Sequence, residues 1–211
     1  MSTDKLIAAL AVDGTQDAPP MRMLLRATLA GISAAAALFF ILLGLRQDFM
    51  AAMHTWRFVF KFVVSLALAA SAALLVARAA DPRSARGPAD MVLALAPALL
   101  LAAVIVELIA MPQAVWMPRL MGHNARICLM SIPLLSLGPL ALLLLALRSS
   151  APASPLRAGA LAGLMAGGLG AAFYAAHCPD DSPLFVAVWY GLAITFVTLL
   201  GASVGQRLLR W

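Results

Sequence analysis

The reactive side chains of this sequence gather in two short segments. Gly-His-Asn-Ala-Arg-Ile-Cys occupies 122–128, and His-Cys-Pro-Asp-Asp-Ser-Pro occupies 177–183. Between them they hold both cysteines of the chain, Cys128 and Cys178, and two of its three histidines, His123 and His177. Two thiolates and two imidazoles are the ligand set of a soft or borderline metal ion such as zinc, copper(I) or cadmium. Asp180 or Asp181 would complete or tune such a site. In an oxidising compartment the same two thiols would instead form a Cys128–Cys178 disulfide. A third reading is structural. Cysteine packs as a small hydrophobe, His177 suits a helix C-terminus, and Asp181 or Ser182 suits the cap of a helix that Pro183 begins. The spacing matches no established metal motif, so the three readings stand side by side.

The segments lie fifty positions apart, and the elements between them must bring them together. The chain has 211 residues, of which 64% are hydrophobic and 11% charged. A soluble domain carries about 25% charged residues. This excludes a disordered chain, a disulfide-rich miniprotein and an ordinary soluble enzyme. A bilayer core takes about 20 apolar residues per helix. Six stretches meet that length, at about 27–45, 58–77, 91–110, 127–147, 158–176 and 184–205. Alternation at period two is absent, so the fold class is all-α, a polytopic bundle of six transmembrane helices. The first stretch starts too far into the chain, and is too long, for a cleaved signal peptide.

An even number of spans places both termini on one side. With the termini in the cytoplasm, ten Lys and Arg lie inside and five outside. Cytoplasmic loops concentrate basic residues, which favours N-in, C-in. The net charge of +6 is then a topology signal and not a nucleic-acid footprint, and no direct nucleic-acid partner is expected. In this orientation Glu107, His123, Asn124, Cys128, His177, Cys178, Asp180 and Asp181 share the outer membrane level. Lys61 is expected to snorkel to the outer interface. Trp56, Trp116, Trp189 and Tyr190 fit an outer aromatic belt. Gly159, Gly163 and Gly167 repeat at four-residue spacing and mark a close helix contact, read as packing within the one bundle.

The membrane part is poor in ionisable groups, and Glu107 is the one glutamate. A small metal or solute transporter would need polar residues along a path. A membrane thiol oxidoreductase would need a second thiol pair or a quinone or haem site. No nucleotide, HExxH or GxSxG motif is present. No enzyme activity and no obligatory cofactor are therefore expected, and the lipid bilayer is the expected surroundings.

Residues 1–20 differ in composition from 21–211 and form a separate cytoplasmic tail. Asp4 follows Ser2 and Thr3, either of which suits a helix cap. Leu6, Ile7 and Leu10 fall on one face of a short helix beside Lys5. Gly14 and Pro19–Pro20 stop it. Such a helix is too short to be stable alone, and an apolar face of this kind commonly folds into a partner's groove.

TDKLIAALA at the N-terminus, GHNARICLMSIPLLSL in the centre and YAAHCPDDSPLFVAVWYGLAI near the end, set in six spans, resemble the NrsF-type anti-sigma factors over essentially the whole chain. These are integral membrane negative regulators of an extracytoplasmic-function sigma factor. The resemblance implies a place in a bacterial inner membrane. It implies that the tail around Asp4, Lys5, Leu6, Ile7 and Leu10 holds the sigma factor in the cytoplasm. It also implies that Cys128 and Cys178 match the family's paired cysteines and take part in sensing metal or oxidative stress. The oligomeric state is left open.

Overall fold

The computed structural model describes Thr3 and residues 20–80 and 87–210. The tail residues Asp4, Lys5, Leu6, Ile7 and Leu10 lie outside the described residues. Six helices are long and apolar enough to cross a membrane. Their α-helical parts are α1 (Pro20–Leu42), α2 (Trp56–Ala79), α3 (Leu95–Ala110, in the span Asp90–Ala110), α4 (Ala125–Arg148), α5 (Pro155–Ala175) and α6 (Gly191–Leu208, in the span Pro183–Leu208). No strand occurs among the described residues. α3 is entered through a 3-10 stretch, Pro88–Ala94. α6 is entered through a helical turn, Pro183–Phe185, and a π-helical stretch, Val186–Tyr190.

The six expected stretches correspond to these six helices, with shifted ends. α1 begins at Pro20 rather than near 27, because Arg22 and Arg26 continue the helix although they depress local hydropathy. It stops at Leu42, and Gly44 at φ +70° turns the chain away.

α5 is the central helix. In its hydrophobic window 83% of the residues are buried, against 17% for the α3 span at the rim. Its glycines make that position accessible, and they face more than one neighbour. Gly159 and Gly163 lie against the backbone of Gly201, Gly205 and Thr198 on α6. Gly168 lies against Ser65 and Ala69 on α2, and Gly170 against Ile132 and Ser136 on α4. The expected glycine seam is thus made inside the chain, and α5 touches three helices at backbone distance. In lipid, where burial of apolar surface no longer separates core from surroundings, such close van der Waals packing is a main source of helix association.

α1 packs chiefly against α4, which carries two prolines, Pro133 and Pro139. A Cβ on Gly31 would come within 2.9 Å of Pro139 Cα, so α1 and α4 cross closely there. The outer surface of the bundle is apolar: Ile41, Met130 and Ile109 are among the many exposed large hydrophobics. That surface suits lipid and not water.

Candidate functional site

The polar chemistry gathers at one end of the bundle, where α1 runs into α2, α3 into α4, and α5 into α6. We call this the thiol end. The short segment His177–Ser182 between α5 and α6 is its centre, and nearly every polar group in it is engaged.

His177 Nδ1 donates to the Gly44 carbonyl at 3.1 Å, just beyond the end of α1. The Arg46 backbone N–H donates to the Ala176 carbonyl at 3.1 Å. The Cys178 carbonyl accepts from Lys61 Nζ at 2.8 Å and from Arg46 Nη1 at 3.3 Å. Asp181 pairs with Lys61 at 2.6 Å and with Arg46 at 3.1 Å. Asp48 closes the group by binding Arg46 at 2.6 Å. The Asp48 hydrogen bond, with Asp181 beside it, pushes the Arg46 guanidinium further up from its already high value, so it is always charged. The same contact draws the Asp48 carboxyl down.

Asp180 caps α4 from a distance. Its carboxylate accepts from the His123 N–H at 3.1 Å and the Asn124 N–H at 2.9 Å; the latter is at the N-cap, where the start of a helix leaves the donor without a partner. Asn124 Nδ2 adds a longer contact at 3.4 Å. Gly122 makes this approach feasible. Its φ of +54° with ψ −165° belongs to a region adopted almost only by glycine. A Cβ there would also meet the Phe185 ring and Asp180 Cγ. Gly122→Ala is therefore expected to lower stability by about 2 kcal/mol or more, read as an earlier thermal transition of the purified protein in detergent.

Glu107, at the end of α3, is 2% exposed. Its Oε1 accepts from Arg119 at 2.6 Å and lies 3.5 Å from Arg57. Its Oε2 accepts from the Ser182 hydroxyl at 2.7 Å and the Leu184 N–H at 3.3 Å. Ser182 also caps the turn that begins at Pro183. Of the two caps expected there, Ser182 serves, while Asp181 is committed to Lys61 and Arg46.

Both thiols are free and fully buried. They share one core cluster with Phe39 of α1, Ile132 of α4, Tyr174 and Ala175 of α5, and Phe185 and Tyr190. Burial pushes the Cys178 thiol up, with Lys61 acting weakly against it, so at neutral pH it is protonated and a poor nucleophile. The structure brings the two cysteines together in this core but leaves the histidines apart. His123 is 94% exposed at the rim, 3.5 Å from Asp180, and His177 is turned to Gly44. Among the described residues no three His, Cys, Asp or Glu side chains form a group able to hold a metal ion.

Two expectations are corrected. Lys61 does not snorkel: it is 0% exposed and turned inward to Asp181 and Cys178. Tyr190 is not part of an aromatic belt. It is 1% exposed, 5.7 Å from the Tyr174 ring, with its hydroxyl unpaired. Trp56 does stay on the surface, and Trp189 binds the Leu120 carbonyl at 2.8 Å. Sequence reading also passed over Arg46, Arg57 and Arg119, counted only as outer charges. Their signal was the matching number of acids in the loops at the same level.

The fold and this end together define a class: a small apolar six-helix bundle whose reactive residues are sealed beneath a network of ion pairs. The chain belongs to the NrsF family, described as negative regulator of sigma F, which residues 9–211 match. It is 36% identical over 217 aligned positions to a Caulobacter vibrioides protein named anti-sigma-F factor NrsF, covering all of both chains. It is 30% identical, again over the full length of both, to an Azospira oryzae protein named probable anti-sigma-F factor NrsF. No solved structure matches.

Proposed function

We propose that this protein is an anti-sigma factor of the bacterial inner membrane. It holds an extracytoplasmic-function sigma factor through its cytoplasmic tail and releases it when the thiol end receives a signal. Family membership and the names of the two relatives support the activity. The orientation, with the thiol end in the periplasm, rests on the two-to-one distribution of Lys and Arg. Four of the five basic residues at the thiol end have acid partners, so little net positive charge opposes that placement. The role is regulatory, with no catalytic step.

The observation that carries the reading is the double attachment of α1 to the thiol pair. Cys178 is tied to the end of α1 through Arg46 and through the neighbouring His177–Gly44 contact. Cys128 stands in the first turn of α4, the helix on which α1 packs, and Phe39 of α1 lies in the core cluster of both thiols. The other end of α1 continues directly into the tail. A change at the cysteines would therefore shift α1, and a helix transmits displacement along its axis to the segment that grasps the sigma factor. The ion pairs supply the bistable element that such coupling needs.

The signal would be oxidation of the two thiols to a disulfide, with two electrons and two protons passing to the oxidant, or capture of a soft metal by the thiolates. To join such a site His123 would have to turn from Asp180, and His177 from the Gly44 carbonyl. Burial of both thiols gives a low resting reactivity, which suits a sensor that must stay closed without stress.

Two measurements test this. Co-purification with the sigma factor is expected from the full chain and to be lost on deleting residues 1–20; undiminished capture would reject the tail. Cys128→Ser and Cys178→Ser are each expected to abolish induction of a sigma-dependent reporter by cadmium or by an oxidant while leaving repression intact. A response equal to that of the parent protein would reject the thiol sensor.

A further inference from the structure

A second polar feature opens at the thiol end beside the ion pairs. A cavity of about 380 Å³ is lined by Arg57, Arg119, His123, Asp180, Asp181 and Ser182, with Gly122 and two prolines completing its walls. That volume lies within the usual range for small-molecule sites.

A hydrogen-bond census of its walls is one-sided. Every carboxylate oxygen is already satisfied. Asp180 is taken by the His123 and Asn124 N–H groups, and Asp181 by Arg46 and Lys61. Both oxygens of Glu107 are taken, one by Arg119 and Arg57 and the other by Ser182 and Leu184. The donors are not exhausted. Arg57 offers five N–H groups in a planar fork. Among the described residues its one acid contact is the 3.5 Å approach to Glu107; its guanidinium lies 5.5 Å from the Trp56 ring centroid, and its Nε has no hydrogen-bond partner. Arg57 and Arg119 also converge on a single Glu107 oxygen, so two guanidinium charges share one carboxylate. At the rim the His123 side chain is 94% exposed, with Nδ1 3.5 Å from Asp180.

A wall with spare guanidinium donors, whose carboxylates are already engaged by other groups, favours a ligand rich in acceptors. Guanidinium forks match planar or tetrahedral oxyanions with paired hydrogen bonds. We propose that this cavity binds a small oxyanion, a carboxylate or a phosphate, between Arg57 and Arg119 with His123 as the closing group. The inference deepens the proposed function by naming a ligand class for the sensing end, and rests on that reading only for what binding would signal. Bound there, the oxyanion competes with Glu107 for its two arginines. Glu107 is the residue that ties α3 to Ser182 in the Cys178 segment, so occupancy loosens the seal over the thiols.

The test uses the full-length protein in phosphatidylcholine nanodiscs. Sodium succinate and sodium phosphate are titrated separately against sodium chloride of equal ionic strength, with calorimetry and thermal unfolding as readouts. Saturable binding of at least one of the two is expected, and which one saturates identifies the source. Arg57→Lys keeps the charge but lacks the planar fork of donors, and is expected to bind about tenfold more weakly. Glu107→Gln removes the competitor and is expected to bind more tightly, an outcome that a merely structural role for these residues does not produce. Effects that follow ionic strength alone, wild-type affinity in Arg57→Lys, or saturable binding of calcium chloride in place of either anion would each overturn the proposal. Because no sigma factor is present, failure here leaves tail capture standing, and failed sigma co-purification leaves this binding result standing.

Discussion

Asp181→Asn is expected to destabilise the bundle by about 3–5 kcal/mol, the usual cost of leaving one partner of a buried ion pair without its opposite charge. Lys61 is 0% exposed, and Asp181 is its one carboxylate partner among the described residues. With the charge removed, the ammonium keeps only the Cys178 carbonyl. Arg46 suffers less, because Asp48 still binds it at 2.6 Å. The reciprocal change is milder. Lys61→Met deletes the buried cation and leaves Asp181, 21% exposed, paired with Arg46. The double variant Lys61→Met, Asp181→Asn has no stranded ammonium and is expected to be more stable than Asp181→Asn alone. Thermal unfolding of the four proteins in nanodiscs closes the cycle, and the coupling energy reads the pair directly. Additive effects would show that Lys61 and Asp181 do not depend on each other. Under the proposed function, Asp181→Asn also slackens the hold of the Cys178 segment on α1, so a sigma-dependent reporter is expected to rise without any stress.

Position along the helices was legible in the sequence; facing was not. Twenty apolar residues in a row are imposed by the bilayer itself, so six spans follow from composition, and their connections place Cys128, Cys178, Glu107 and Asp180 at one level. Whether a residue at that level points to lipid, water or a neighbouring helix depends on packing between segments far apart in the chain. Lys61 shows this. A lysine near a span end ordinarily reaches for the interface, and its partner here stands 120 residues away in a loop whose aspartates looked like caps or ligands. Tyr190 shows it differently. The π-helical stretch Val186–Tyr190 departs from regular helical spacing just before α6, and Tyr190 sits inside the core rather than in the belt its spacing suggested. π-helical insertions of this kind have no simple signature in composition. The four ligand-type side chains were expected at one place, and they lie at one end of the bundle. The two thiols do meet in one core. The imidazoles are drawn off by groups that no local pattern names, the Gly44 carbonyl and the Asp180 carboxylate.

The glycines of α5 and α6 support the second large prediction, because their neighbours differ in what can yield. At Gly201 an added Cβ would lie 2.5 Å from the Gly159 carbonyl oxygen, 2.9 Å from Gly163 Cα and 3.0 Å from Gly163 N. At Gly205 it would lie 2.6 Å from Gly159 Cα. Each obstacle is backbone, and no rotamer change relieves it; α5 and α6 must move apart. At Gly167 the nearest atom is a methyl of Ile194 at 3.1 Å, an obstacle that can shift by a few tenths of an ångström. At Gly191 nothing lies within 4 Å. Overpacking a core typically costs about 1–3 kcal/mol, and Gly201→Leu is expected at or above the top of that range. Gly201→Ala should be intermediate, Gly167→Ala smaller still, and Gly191→Ala close to neutral. Unfolding in mixed micelles gives the order. Equal losses at Gly201 and Gly167 would mean that the seam is looser than backbone contact. A melt unchanged by Gly201→Leu would mean that α5 and α6 do not meet there. The functional consequence follows from position. α5 ends immediately before the His177–Ser182 segment and α6 begins just after it, so forcing the two helices apart also spreads the ends that hold Cys178 beneath Lys61 and Arg46. Gly201→Leu is therefore expected to raise the labelling rate of Cys178 by a small maleimide severalfold, whereas Gly191→Ala leaves it at the parent rate.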